Sequence, residues 1–567
     1  MIYQKRFWFL FAFLLSASLP CILYRGTIRS VSSLYPNSYF LAGHSVLVYI
    51  KTPFIVLSGY LLLLLPGLLL ALALNSGRRL DLWFARALGL SIAVISLAVT
   101  LMQHWIGQTI SGNSFIVLIL ALSVFAFVLL FVRILRGDRI CWPLEKDGRQ
   151  SPFLELGFII GIAFLLVIAL APKVFWENLN GDGAHLLESS RLLLFHPLPF
   201  WSESAGGLGT YPGITSMLSV YPVSLMLRLY GVCEASARLP FLLYASGLFA
   251  VLLSLIRQSR EKLLTRVEII LIASNVILYA VVASFNITYN VYMADIALPA
   301  GRETLCMFCF LSYVVSFLRK EKLWMIFFLF LTFLILPTTQ LLIGLWLLSA
   351  VLVIRPRPWN EIIQSGIVFA GCLVMNAVAP LILNALQLPP PGSEFSMEGL
   401  RHRLGIGFPV PHRVLYWVVP CGILPVFSLL AWPKQDGINR ALSLVTVGYF
   451  VFFAVQKHTA LNHFVPVMVL PVVIFWRTQI FLGPPYRKRV LLAAAVCVLT
   501  SIILSLPRHF GPDQSGRIIG AAIEDKTKGY DSMDPGAFAG AQILSNLFPS
   551  AWDKEVPLKS YGGSWNV

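Results

Sequence analysis

The chain has 567 residues, of which 57% are hydrophobic and only 12% charged, with a mean hydropathy of +0.79 and a formal net charge of +17. A soluble globule carries about twice that charged fraction, so the composition excludes one and points to an all-α polytopic membrane protein. The 43 Lys and Arg against 26 Asp and Glu do not mark a nucleic-acid binder, because they sit in short clusters between apolar runs, where membrane topology explains them.

Taken in order, Lys5 and Arg6 precede an apolar run from Phe7 to Tyr24 that resembles a signal peptide, but no A-x-A cleavage site follows it. A retained span is expected there. Further spans are expected at 53–74, 83–105, 114–135 and 153–172. Between them, Arg78–Arg79 and the segment 136–149 are basic, whereas 25–46 carries only two arginines and 106–113 none. Placing the basic segments on the cytoplasmic side puts the N-terminus inside and Lys173 outside.

From Lys173 to Pro240 runs the longest interruption of the apolar pattern. Its first half carries Glu177, Asp182, Glu188 and Glu203 against only Lys173 and Arg191, an acidic cluster in a basic protein. Its second half, Leu208 to Gly231, is apolar enough to resemble a span. If it crossed, Arg257, Arg260, Lys262 and Arg266 would face outward. An interfacial helix on the outer surface, with Tyr211 and Tyr221 near the lipid headgroups, keeps that cluster inside.

The same rule then places spans at 239–256, 267–284, 298–318, 324–337, 338–354, 362–386, 413–432, 441–456, 460–476 and 490–506. The stretch 324–354 reads either as one long helix or as two short ones broken at Pro337-Thr338-Thr339-Gln340; two keep Arg355 inside. Cys306 and Cys309 form a CxxC within an apolar run, where packing explains them better than metal or redox chemistry. The tail 508–567 has soluble composition, with a helix expected at Gly536–Leu547, and forms a small external cap.

On the outer side this topology gathers Asp182, His185, Glu188 and Arg191, then Asp295 with Arg302 and Glu303. Arg401, His402, Arg403, His412 and Arg413 join them from 387–413, and Lys457, His458 and His463 from 457–463. Basic residues on the wrong side of the membrane are costly and suit an anion such as a lipid phosphate. Nonspecific contact of 401–413 with headgroups is the plainer alternative. Asp182 stands in a Gly-flanked turn before a helical spacing over Ala184–Leu194 that puts His185 and Glu188 on one face. It suits both an N-cap and a general base. His185 and Glu188 lack HExxH spacing and a third ligand, so no metal is indicated; no P-loop, nucleophile elbow or dinucleotide fingerprint occurs.

The block GDGAHLLESSRLL, then an aromatic- and Pro-rich loop, then YGVCEASARLPFLLYASGLFAVLL, resembles the first extracytoplasmic loop and second core helix of the GT-C membrane glycosyltransferases. The branch is that of the lipid A aminoarabinose transferase and the protein O-mannosyltransferases. Asp182, Ala184, Glu188 and Arg191 fall in register with that family's Asp-Glu-Ala-(Arg/Tyr)-Tyr-Ala-x-x-Ala-Arg pattern. Gly183 departs from it where the family often has Glu, which leaves a lone Asp in place of two adjacent carboxylates. YMADIALPAGRETLCMFCFLSYVV resembles the third-to-fourth helix region, and KHTALNHFVPVMVLPVVIF the late stretch near the donor phosphate.

The resemblance implies a GT-C-like transmembrane catalytic core over 151–507, with its outer catalytic loop at 173–238. Residues 1–150 would then form an accessory membrane domain of about four spans, and 508–567 the extracytoplasmic tail. It further implies a transferase in a bacterial inner membrane with its site facing the periplasm, a polyprenyl-phosphate sugar donor, and a lipid, glycan or protein acceptor. Asp182 would be the general base and Glu188 its catalytic neighbour, or a residue that, like Asp295, positions sugar and cations. His185, Arg191, Arg302, Arg401, His402, Arg403, Lys457, His458 and His463 would bind substrate and the departing phosphate; no cofactor is required, and a divalent metal is optional. The alternatives are a lipid-linked sugar flippase and a noncatalytic subunit of a polysaccharide assembly complex.

Overall fold

The computed structural model describes residues 16–24, helical over 16–23 within the expected first span, then 46–76, 79–106, 112–138, 217–258, 302–335, 337–385, 435–455 and 465–478, with isolated positions besides, Ser190 and Leu194 included. Among the described residues the only regular structure is helical. In chain order the helices are α1 (Val46–Ala73), α2 (Leu80–Ile106), α3 (Gly112–Leu135), α4 (Met217–Tyr230), α5 (Glu234–Gln258) and α6 (Arg302–Leu318). They continue as α7 (Lys322–Ile335), α8 (Pro337–Val353), α9 (Trp359–Ala385), α10 (Gly437–Val455) and α11 (Val465–Thr478). The expected spans at 153–172, 267–284, 413–432 and 490–506, and the tail helix, lie outside the described residues.

Among the described residues four helices are long and apolar enough to cross a membrane: Lys51–Ala73, Leu80–Met102, Asn113–Leu135 and Ala235–Gln258. One face of α3 shows why the surroundings must be apolar. Phe115, Ile119, Ala126 and Leu130 are buried, while Val117, Val124, Phe125 and Val128 on the other side are 48–63% exposed. Such a stripe would be a liability in water and is ordinary against acyl chains. The chain is therefore an integral membrane protein with several membrane helices.

Two compact units make up the chain: one holds α1–α4 and α5 as far as Ser246, the other α5 from Gly247 and α6–α11. In the first unit α1 packs on both α2 and α3. Pro66 inside α1 cannot donate to the ladder, and Ser91 of α2 enters there. Its hydroxyl donates to the Leu63 carbonyl at 2.7 Å and accepts the Gly67 amide at 3.1 Å, bridging one step of the helix. The approach needs glycine, because a Cβ at Gly67 would stand 2.0 Å from the Ala87 carbonyl oxygen.

Three helices end in the same way. Asn75 after α1, Gly137 after α3 and Lys320 after α6 take positive φ, of 50°, 77° and 57°. Each is followed by an amide that returns to the carbonyl five residues back: Ser76 to Ala71, Asp138 to Arg133, Glu321 to Ser316. These Schellman caps satisfy the last carbonyls and turn the chain sharply, at the Arg79 and Arg136 corners whose charge suggested the cytoplasmic side and at Arg319–Lys320, which the same rule places there.

In the second unit α6 and α7 pack as a hairpin, α7 leans on α9, and α8 packs on α10. The stretch 324–354 is two helices. Pro337 starts the second, and the Thr339 hydroxyl donates to the Thr332 carbonyl at 2.6 Å, capping a carbonyl at the end of α7. Cys306 and Cys309 are buried on α6, as packing residues are.

Candidate functional site

The acidic stretch is seen through two residues, Ser190 and Leu194, both buried. They lie against α4. Ser224 donates to the Ser190 carbonyl at 3.0 Å and reaches the Val220 carbonyl at 3.1 Å, to which the Ser190 hydroxyl also donates at 3.4 Å. One turn along, the Arg228 guanidinium donates to the Leu194 carbonyl. Both contacts join residues 34 apart in sequence, so positions 190 and 194 follow 224 and 228 in the same direction and in one register.

The helix α4 is itself fastened to α1 and α2. The Tyr221 hydroxyl meets the Thr100 hydroxyl of α2 at 3.3 Å, and Tyr230 donates to the Ile55 carbonyl of α1 at 2.7 Å. Gly59, one turn past Ile55, makes room for the Tyr230 ring: a Cβ there would stand 2.0 Å from its hydroxyl oxygen. Just beyond, Tyr60 donates to the Leu239 carbonyl of α5 at 2.6 Å. Tyr221 and Tyr230 are 0% and 1% exposed, so Tyr221 is covered by protein rather than by headgroups. Gly231, at φ 88°, then ends α4 with its amide on the Leu227 carbonyl.

Of the residues expected to carry chemistry, Arg302 is the first residue of α6, followed by Glu303. Asp182, His185, Glu188, Arg191, Asp295, Arg401, His402, Arg403, Lys457, His458 and His463 lie outside the described residues. Among the described residues no group of three His, Cys, Asp or Glu side chains could hold a metal ion.

Sequence reasoning missed Ser190, Ser224, Arg228 and Tyr230. Arg228 was the legible signal, a lone cation in an apolar helix, since such a charge needs a partner. Which carbonyl it meets depends on a register 34 residues long, and no local periodicity encodes that.

Fold and contacts thus define an all-helical, multi-span integral membrane protein in which the end of the acidic stretch is docked on α4. No family model and no curated protein matches the chain. Among solved structures it is similar to the crystal structure of ArnT from Cupriavidus metallidurans bound to undecaprenyl phosphate. The identity is 16% and the TM-score 0.46, over 71% of this chain and 74% of that one. A likeness of that size assigns no role to any residue.

Proposed function

We propose that the protein is a membrane glycosyltransferase that moves a sugar from a polyprenyl-phosphate donor to a hydroxyl of an extracytoplasmic lipid, glycan or protein. The observation that carries this reading is the GDGAHLLESSR block, an acidic, Gly-flanked turn on the expected outer side of a strongly basic, apolar chain. A donor with a long polyprenyl tail is presented only from the bilayer, which suits an enzyme built of membrane helices. In the reaction Asp182 takes the proton of the acceptor hydroxyl as its oxygen bonds to the anomeric carbon. The bond from that carbon to the phosphate oxygen breaks, and the lipid phosphate leaves with the electron pair. Phosphate leaves readily once its charge is balanced, the role of Lys457, His458, His463, Arg302, Arg401 and Arg403. His402 lies between Arg401 and Arg403 in sequence and, with Arg191 of the acidic block, serves the same anion. Asp295, Glu188 and His185 position the cations or the sugar.

The test begins with purification in detergent and identification of the copurifying lipid by mass spectrometry. Radiolabelled polyprenyl-phosphate hexoses and pentoses are then offered as donors to membrane extracts containing acceptors. Transfer of label to a non-donor product is expected. Label that crosses a proteoliposome bilayer without changing carrier would identify a flippase instead. Neither outcome, with the lipid bound but inert, would leave a noncatalytic subunit.

A further inference from the structure

We propose that Ser224 and Arg228 are positioning residues for the acidic stretch, and that α1 and α2 are the platform from which they hold it. The effect on rate rests on the glycosyltransferase reading; the placement rests on contacts alone.

Two hydrogen bonds one turn apart fix more than one does. Ser224 on Ser190 and Arg228 on Leu194 set both the height and the rotation of the stretch along α4. A slip of one residue would turn it by about 100° and break both contacts. Leu194 stands at the end of the helical spacing, where a carbonyl has no partner within its own helix and a cation is favoured by the helix dipole. On the helix that the sequence predicts over 184–194, Glu188 is about 200° from Ser190. On that predicted helix, a grip on the Ser190 and Leu194 face is expected to turn the His185 and Glu188 face away from α4.

The grip positions the stretch only if α4 cannot move. Its two tyrosines, nine residues apart, are hydrogen-bonded to different helices: Tyr221 to Thr100 of α2, Tyr230 to Ile55 of α1. A Cβ at Gly59 would stand 2.0 Å from the Tyr230 hydroxyl oxygen, so a side chain there must displace the ring. Tyr60 repeats the arrangement one residue later, on the Leu239 carbonyl of α5. The helices that precede the expected catalytic core thus acquire a role, which is to anchor the helix that sets the acidic turn.

The test uses the full chain with its native cysteines replaced and a reporter cysteine at Leu187, which shares the Ser190 and Leu194 face by helical spacing. Its rate of labelling by an impermeant maleimide is measured in folded protein, checked by size-exclusion profile. Ser224→Ala, Arg228→Met and Tyr230→Phe are each expected to speed labelling by about 5-fold, the factor that loss of one net hydrogen bond gives. Ser224→Thr, which keeps the hydroxyl, should label as the parent does. Gly59→Ala should speed labelling further, with Tyr230→Phe partly relieving it, a non-additivity that a general loss of stability would not produce. On the native background, Ser224→Ala should lower kcat for sugar transfer by about 10-fold or more with donor KM unchanged, the scale of a small misplacement. Unchanged labelling in all variants, or equal effects of Ser224→Thr and Ser224→Ala, would overturn the proposal. A parent protein that transfers no sugar sinks the glycosyltransferase reading instead, and the labelling still decides the placement.

Discussion

Arg477 and Asp436 form an ion pair at 2.9 Å in which the arginine side chain is 1% exposed. Asp436 is also the N-cap of α10, its other carboxylate oxygen accepting the Asn439 amide at 2.7 Å. The Nε of Arg477 donates to the Asn439 side chain at 2.8 Å and its Nη1 to the Leu255 carbonyl of α5. One guanidinium thus joins the ends of α5, α10 and α11, with each of its three nitrogens donating to an oxygen.

Removing its counter-charge should therefore cost more than a surface pair would. Asp436→Ala loses cap and pair together and is expected to destabilise the protein by about 3 kcal/mol or more. Asp436→Asn keeps a capping oxygen and loses the charge, so it should fall between Ala and wild type. Thermal unfolding in detergent, followed by aggregation or tryptophan fluorescence, would give the order. Equal stability of all three proteins would show that Arg477 is satisfied without Asp436.

The Gly67 contact makes a sharper prediction, because the obstacle is backbone. A Cβ at residue 67 meets the Ala87 carbonyl at 2.0 Å and the Ser91 amide at 2.6 Å, and neither can rotate away. Gly67→Ala should push α1 and α2 apart and lower stability by about 2 kcal/mol or more. Ser91→Ala, which removes only the bridging hydroxyl, should cost about 1 kcal/mol. A melting temperature for Gly67→Ala at or above that of Ser91→Ala would contradict this packing of α1 on α2.

Helix positions were legible because a membrane span advertises itself. Runs such as 53–74 and 114–135 have the length and polarity of α1 and α3, and basic corners at Arg79 and Arg319 mark where helices end. Lys320 was readable as a corner charge but not as a left-handed cap, since nothing local distinguishes the two. What the sequence hides is which apolar helix meets which. Tyr221 was expected near the headgroups by type, yet its hydroxyl meets Thr100, and that of Tyr230 the Ile55 carbonyl, each more than a hundred residues away. The Arg477 network was missed for a similar reason: nothing local tells that Asp436 caps α10 and also pairs with an arginine 41 residues on. Asp182 and its companions rest on motif and expected topology alone.

The orientation of the chain gives a third prediction. The basic residues that follow α5 are expected inside, while the stretch before α4 is expected outside. With native cysteines replaced, a cysteine at Ser259 should resist an impermeant thiol reagent in intact cells and react once the membrane is opened. A cysteine at Ser204 should react at once. Equal labelling at the two positions in intact cells would place α4 across the membrane and reverse every later span.

The last prediction concerns Asp182, whose two proposed roles can be separated by a change of one atom type. Asparagine caps a helix about as well as aspartate but cannot accept a proton at neutral pH. If capping were its only role, Asp182→Asn would transfer sugar as the wild type does. As the general base its loss should reduce transfer by ~10²-fold or more, with folding and donor binding intact. Glu188→Gln is the control, expected to be milder because Glu188 lies more than a turn further along the predicted helix. Both variants should be assayed with the donor found to copurify, and donor affinity measured separately by thermal shift. Wild-type transfer by Asp182→Asn would remove it from the chemistry, and a Glu188→Gln protein that alone was inactive would move the proton acceptor to Glu188.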